Sequence, residues 1–154
     1  MKYNPFWLLC LIVIFSCSEK KEVSTATPPT LPLQGTWSLI SGTLIEKGDT
    51  TVTDYTTKTS FIKIINASHF AFLQHDLNHG KDSTATYSSG GGAYTLQDST
   101  YTEHLEYCSD RAWEGHDFKF TIEIKNDTFI QRGVEVVENA GINRINIEKY
   151  KRVK

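Results

Sequence analysis

The chain has 154 residues, and its 16 Lys and Arg against 18 Asp and Glu give a formal net charge of −2. Both signs are interspersed along the chain and no basic stripe is present, which argues against nucleic acid as a partner. Without its N-terminal segment the chain keeps about 120 residues, enough for one domain with a real core but too few for two.

The N-terminal segment has the pattern of an export signal. Lys2 precedes an apolar run from Phe6 to Phe15, and a core of about ten residues is half of the ~20 that a membrane-spanning helix needs. The end of the run, Ile14-Phe15-Ser16-Cys17, resembles the cleavage box of bacterial lipoproteins. This resemblance implies that residues 1–16 are a lipoprotein signal peptide and that Cys17 becomes the N-terminus, with a diacylglyceryl group on its sulfur. Ordinary secretion with release is the alternative, because small residues mark the cleavage site there too.

Residues 17–32 are predicted to be the lipidated cysteine and a disordered tether. This stretch is rich in Ser, Thr, Pro and charge, and it has almost no apolar side chains. Such a composition buries too little surface to offset chain entropy, and its prolines favour extended forms. The folded domain is therefore expected over residues 33–154.

Cysteine usage predicts a fold without a disulfide. The lipoprotein resemblance implies that Cys10 is removed with the signal and that the sulfur of Cys17 is blocked by lipid. Only Cys108 then remains, so the domain depends on its apolar core although its compartment allows disulfides. Cys108 is expected to be a half-buried small hydrophobe, with a reactive thiol as the alternative.

Beyond the tether, apolar residues alternate with a period of two, which predicts an all-β domain. The clearest alternation is Asp117–Lys125, where apolar and polar residues take strict turns. A helical turn is expected only near Pro32 or within Asp110–Glu114. The predicted strands are Gly35–Ile45, Ser60–Ile65, His69–Asp76, Ala93–Gln97, Thr100–Cys108, Asp117–Lys125, Thr128–Val134 and Arg144–Val153.

Short strands joined by hairpin turns are typical of an up-and-down antiparallel β-barrel or of a sandwich. Eight strands is also the number that closes a barrel around one small ligand, and the eight-stranded barrel is the prediction. The two architectures differ in one pairing, because a closed barrel requires the first strand to hydrogen-bond the last.

Two motifs resemble the lipocalins and related calycin barrels. Gly35-Thr36-Trp37 is similar to the Gly-X-Trp opening of the first lipocalin strand, and residues 90–107 resemble the central hairpin of lipocalin-like lipoproteins from Bacteroidetes-type bacteria. The resemblance covers most of residues 33–154 and implies a barrel more firmly than any activity. It also implies that a basic residue of the last strand, Arg144 or Arg152, covers the tryptophan at the barrel base.

The predicted strand Thr100–Cys108 carries the best candidate for a site. By the period-two rule Glu103 shares a face with Tyr101 and Tyr107, so a carboxylate lies on an aromatic face. If this face points into the barrel, Glu103 needs a partner or a shifted pKa, because an unpaired buried charge is very costly. Two interpretations stay open: Glu103 belongs to a ligand pocket, or it is a structural residue paired with an interior Arg or with tyrosine hydroxyls. The predicted ligand-binding residues are Phe72, Tyr94, Tyr101, Glu103, Tyr107, Phe118 and Phe120.

Other motifs predict no further site. The run Gly90-Gly91-Gly92 lacks the helix that follows a phosphate cradle and is expected to mark a bulge or a bend ahead of a strand. His75, Asp76 and His79 lie close together at a strand end, but three such residues in a loop are weak evidence for a metal site. No constellation for nucleophilic catalysis is present, so no catalytic residue, metal or cofactor is predicted.

The sequence therefore predicts a membrane-anchored, lipocalin-like binding protein of the bacterial cell envelope for a small hydrophobic or amphipathic ligand. The expected location is the outer membrane, reached through the lipid on Cys17, and the expected state is a monomer or weak oligomer. Two alternatives stay open. A structural or protein-interaction lipoprotein would have a filled barrel and an exposed apolar patch. A small isomerase-type enzyme would use Glu103 as an acid or base.

Overall fold

The computed structural model describes residues 32–154, so the predicted signal peptide, Cys17 and nearly all of the predicted tether lie outside the described residues. Within this range the chain forms ten strands and two single-turn 3₁₀ helices, Arg111–Trp113 and Glu138–Ala140. The first helix lies in a loop where a turn is predicted. The strands are β1 (Gly35–Glu46), β2 (Asp49–Asp54), β3 (Thr59–Ile65), β4 (His69–Asp76), β5 (Tyr87–Gln97), β6 (Thr100–Leu105), β7 (Tyr107–Cys108), β8 (His116–Lys125), β9 (Thr128–Val137) and β10 (Ile142–Arg152).

The sheet closes into a barrel because its first strand pairs with its last. β1 runs antiparallel to β10 from the pair Trp37–Arg152 to the pair Ile45–Ile145. Around the barrel the order is β1, β3, β4, β5, β6, β8, β9 and β10, so neighbours in space are also successive along the chain. The predicted all-β, eight-stranded up-and-down barrel is therefore confirmed.

β2 and β7 extend this barrel without adding to its eight strands. β2 pairs with residues 41–46 of β1, while β3 pairs with residues 35–38 of the same strand. β7 likewise continues the line of β6 along β5. The sequence analysis missed β2, because all of its residues are exposed and it therefore shows no apolar alternation.

The glycine run lies inside β5 and not ahead of a strand as predicted, since β5 begins at Tyr87. A Cβ on Gly92 would overlap with the carbonyl oxygen of His104 and would lie 2.9 Å from the amide nitrogen of Glu106. The missing side chain thus allows the neighbouring backbone to approach β5 closely.

A β-bulge on the neighbouring strand faces this glycine run. The pairing with β5 changes from Tyr94–Glu103 to Gly91–Tyr107, which leaves one extra residue between β6 and β7. Glu106 occupies the bulge, where its amide nitrogen donates to the carbonyl of Gly91 at 3.0 Å. The bulge therefore lies on the strand beside the glycines and not in the glycine run, where a bulge or a bend was predicted.

Trp37 closes one end of the barrel. Its indole Nε1 donates to the carbonyl of Leu33 at 2.8 Å, and its ring lies 5.3 Å from that of Phe129. The guanidinium carbon of Arg152 lies 4.0 Å from the centroid of the Trp37 ring. Of the two candidates, Arg152 and not Arg144 covers the tryptophan.

Longer connections gather at the opposite end, which we call the loop end: residues 77–86, 109–115 and 138–141. Asp76 organises the first of them, because its carboxylate accepts hydrogen bonds from the amides of Gly80 at 2.7 Å and Thr86 at 3.1 Å. These bonds hold the pKa of Asp76 below its usual value. Over residues 32–154 no helix is long and apolar enough to cross a membrane.

Candidate functional site

A cavity of about 320 Å³ lies inside the barrel and is bordered at the loop end by Asp110 and Trp113. The side chains that surround it come from the walls of the barrel and from a polar layer between the cavity and the closed end. We call this layer the floor; it consists of Lys63, Glu103, Gln131 and Glu148. Its volume is near the lower end of the usual range for small-molecule pockets. The space therefore suits a small molecule.

Lys63 and Glu103 form the centre of the floor. Lys63 projects from β3, and its ammonium lies 2.6 Å from Glu103 Oε1 on β6 and 3.0 Å from Gln131 Oε1 on β9. β4 and β5 separate β3 from β6 in the sheet, so this ion pair spans the barrel interior. Both side chains are more than nine-tenths buried, and each supplies the partner that the other needs.

A second carboxylate joins the floor from β10. Glu148 Oε2 accepts hydrogen bonds from Gln131 Nε2 at 2.7 Å and from the Tyr150 hydroxyl at 2.6 Å. The same oxygen lies 3.8 Å from the Lys63 ammonium. One ammonium group is thus shared between two carboxylates.

Burial raises the pKa values of ionisable side chains in and beside the floor. Loss of solvent raises the pKa of Glu103, the Lys63 ammonium opposes this rise, and the charge of Glu148 adds to it. Burial also raises the pKa of Tyr101, whose hydroxyl is close enough to Glu103 to interact with it electrostatically. Among the described residues this hydroxyl has no hydrogen-bond partner. The Tyr101 and Tyr150 hydroxyls both stay protonated, since burial raises the pKa of Tyr150 as well.

A separate polar cluster lies in the cavity wall. Glu135 accepts from Arg144 Nε at 2.7 Å and from Asn146 Nδ2 at 2.7 Å. Burial raises the pKa of Glu135, and the Arg144 guanidinium opposes this rise. Arg144 also lies 5.1 Å from the centroid of the Trp113 ring, which connects this cluster to the rim of the cavity.

The remaining wall is aromatic. Phe61 stacks on Phe72 with ring centroids 5.7 Å apart, and Tyr55 meets the edge of Phe61 at 5.9 Å. On the other side Phe118 lies 5.6 Å from Trp113. All five rings border the cavity, so an apolar ligand body would contact aromatic carbon on two sides.

Four of the predicted site residues line the cavity, namely Phe72, Glu103, Phe118 and Phe120. Their role in binding a ligand stays a prediction. The expected partner of Glu103 was an interior Arg or tyrosine hydroxyls; the partner present is Lys63.

The three predicted tyrosines do not line the cavity. Tyr101 is fully buried, and Tyr94 packs on it at 5.3 Å while its hydroxyl donates to the carbonyl of Asn66 near the closed end. Tyr107 is 68% exposed, so its predicted place on the face of Glu103 is wrong. The bulge at Glu106 is the cause, because one extra residue reverses the alternation. Cys108 therefore faces the cavity instead.

The sequence analysis missed Lys63 and the polar row of β10. Along β10 the inward residues Arg144, Asn146 and Glu148 are polar, while Ile145 and Ile147 point outward. A rule that places apolar residues inside the barrel therefore predicts the wrong inward face for this strand. Tyr150 is buried and stacks on Phe129 at 5.2 Å. Residues two, four and six positions before it, namely Glu148, Asn146 and Arg144, share its face of the strand, and this spacing would have identified the polar row.

The structure offers no grouping of metal-binding side chains within residues 32–154, in the sense of three His, Cys, Asp or Glu together. Asp76, considered above with His75 and His79, directs its carboxylate to the backbone amides of Gly80 and Thr86. The cavity lining combines carboxylate and amide groups, the cations Lys63 and Arg144, and aromatic rings.

Comparisons with known proteins add little to this picture. No family model matches the chain, and neither does any curated protein. Among solved structures the chain resembles an uncharacterised protein from Bacteroides eggerthii, with 13% sequence identity and a TM-score of 0.45. The likeness covers 78% of this chain and 98% of that one.

Proposed function

We propose that the protein binds a small amphipathic molecule inside its barrel. The observation that supports this is the cavity of about 320 Å³, which presents aromatic walls and a few directed polar groups to one space inside the barrel. In this proposal Phe61, Phe72 and Phe118 contact the apolar part of the ligand. Glu103 and Glu148 accept hydrogen bonds from its polar end.

The proposal can be tested by titration calorimetry of the full-length protein in lipid nanodiscs, with protein-free nanodiscs as the blank. The probes are phenylpropanol, phenylpropylamine and phenylpropionate, which share one apolar body and differ in charge. At least one of them is expected to bind with one-to-one stoichiometry. If none binds, the proposed function is wrong.

A pair of adjacent serines on β5 supplies the matched variants. Ser88 borders the cavity, whereas Ser89 faces the outer surface of the barrel. Ser88→Trp fills the cavity and is expected to abolish binding, while Ser89→Trp is expected to leave it unchanged. Melting temperatures of both variants show whether the barrel is intact. Undiminished binding by a folded Ser88→Trp protein would contradict the proposal.

The proposal also includes a protein class and a localisation. The protein is proposed to be a lipocalin-like lipoprotein of the bacterial cell envelope, held on the outer membrane by lipid on Cys17. The cleavage-box sequence supports the lipid, and the Gly35-Thr36-Trp37 opening with Arg152 over Trp37 supports the lipocalin likeness. Two or three acyl chains anchor a protein stably, because each buried methylene contributes about 0.8 kcal/mol. Radiolabelled palmitate should enter the wild-type protein but not Cys17→Ser. Retention of an unlabelled Cys17→Ser protein in the outer membrane would argue against the anchor.

A further inference from the structure

The cavity carries more acidic than basic side chains. Within residues 32–154, four carboxylates border it but only two cationic groups, Lys63 and Arg144. Arg144 is already engaged, because its Nε lies 2.7 Å from Glu135. Of the other acids, Asp110 caps the helix Arg111–Trp113 at the rim, and the remaining two, Glu103 and Glu148, form the floor.

The surplus negative charge is concentrated on the floor. Among the residues that the structure describes, Lys63 is the single cation between Glu103 at 2.6 Å and Glu148 at 3.8 Å. Uncompensated charge is expensive where solvent is excluded, so a second positive charge at this place would be favourable. Burial, together with the charge of Glu148, raises the pKa of Glu103, which is the expected response of a carboxylate that lacks full compensation.

The walls above the floor are also suited to a cation. Tyr150 and Phe61 are neighbouring rings with centroids 6.5 Å apart, and both border the cavity. The faces of such rings attract ammonium groups, and the Lys63 ammonium already lies 5.3 Å from the Tyr150 centroid. The cavity therefore combines carboxylates with aromatic faces in one small space.

We propose that the ligand of this cavity is a small organic monocation, an ammonium group on a short apolar body. The ammonium shares Glu103 and Glu148 with Lys63, and the apolar body lies between Phe72 and Phe118. This inference rests on the proposed function and adds the charge of the ligand to it.

The three probes distinguish the two proposals, since they share an apolar body and differ in the polar group and its charge. Phenylpropylamine is expected to bind about tenfold more tightly than phenylpropanol, because the carboxylates attract the charge of an ammonium group and a hydroxyl carries none. Phenylpropionate is expected to bind most weakly. If phenylpropanol or phenylpropionate binds as tightly as the amine, the inference about charge is wrong while the proposed function stands. If no probe binds, the proposed function is wrong, and the inference about charge, which rests on it, is wrong as well.

Glu148→Gln tests the inference at the floor itself. The amide oxygen of the new side chain can still accept from Gln131 and Tyr150, and Lys63 keeps its close partner Glu103. The variant is expected to lose about tenfold in affinity for the amine and distinctly less for the alcohol, which loses a charged acceptor but no attraction between opposite charges. Glu123→Gln, the same substitution at an exposed position of β8, is expected to change neither. Equal loss of amine and alcohol binding in Glu148→Gln would overturn the inference.

Discussion

The Lys63 ammonium lies 2.6 Å from Glu103 Oε1 although two strands separate β3 from β6 in the sheet. The ion pair therefore crosses the barrel interior. It separates the space inside the barrel into a packed part near Trp37 and a cavity near the loop end. This pair also explains how two charged residues can be buried in a domain of this size, since each compensates the other.

Lys63→Met is expected to destabilise the domain strongly. The substitution keeps the length of the side chain but leaves Glu103 buried without its cation, and removing one member of a buried pair typically costs about 3–5 kcal/mol. The free energy of unfolding, measured by urea titration of the full-length protein, checks this value.

Two controls accompany this measurement. Adding Glu103→Leu to Lys63→Met should recover part of the lost stability, because only Glu148, which keeps its hydrogen bonds from Gln131 and Tyr150, then lacks the Lys63 cation. Lys119→Met, on the exposed face of β8, should change the free energy of unfolding by less than about 0.5 kcal/mol. Equal effects of Lys63→Met and Lys119→Met would show that the floor pair contributes nothing.

Glu103 is expected to make stability depend on pH. Burial raises the pKa of Glu103 above its ordinary value of 4.5, so the folded protein keeps a proton there that the unfolded chain has released. The stabilising effect of that proton is complete below the ordinary pKa and is lost as pH rises through the folded one. Relative to Glu103→Gln, the wild type should therefore lose stability as pH rises above the ordinary value of 4.5 and through the raised folded pKa. Urea titrations of both proteins across this range check the sign, and a relative gain with rising pH would contradict it.

Cys108 reports on access to the cavity. Its thiol borders the cavity, and burial raises its pKa, so alkylation by iodoacetamide at neutral pH should be slower than that of an exposed cysteine. A bound probe molecule should slow it further. Mass spectrometry of the peptide that contains Cys108 measures the rate.

The matched control for this prediction is the neighbouring position. Tyr107 points outward, so a cysteine placed there by Tyr107→Cys in a Cys108→Ser background should react quickly and without protection by ligand. Similar slow rates at both positions would mean that the bulge at Glu106 does not reverse the alternation.

Gly92→Ala is expected to disrupt the contact between β5 and the bulge. The new Cβ would collide with backbone atoms of His104 and Glu106, which cannot rotate away as a side chain can. Overpacking of this kind typically costs about 1–3 kcal/mol. Thr95→Ala, at an exposed position of the same strand, is the control and should cost no more than about 1 kcal/mol. Thermal melts of the two variants test the difference, and similar melting temperatures would refute the close approach.

Much of the fold could be predicted because its signals are local. Alternation in Asp117–Lys125 and the turns that follow such strands depend only on neighbouring residues, and they predicted the strand count and the barrel. β2 had no such signal, because none of its residues is buried. The reversal at Tyr107 also escaped prediction, since a one-residue bulge depends on pairing with Gly91 and leaves no local pattern.

The sequence by itself determined the class of this domain and the face that Glu103 shares with Tyr101, because both follow from the two-residue period of a strand. Only the tertiary structure decided what Glu103 meets. Its partner Lys63 is forty residues away along the chain, and Glu148 reaches the same place from the last strand. Which side chains face each other across a barrel depends on strand tilt and stagger, and these are set by closure of the whole sheet. The floor is therefore a property of the closed barrel and not of any one strand.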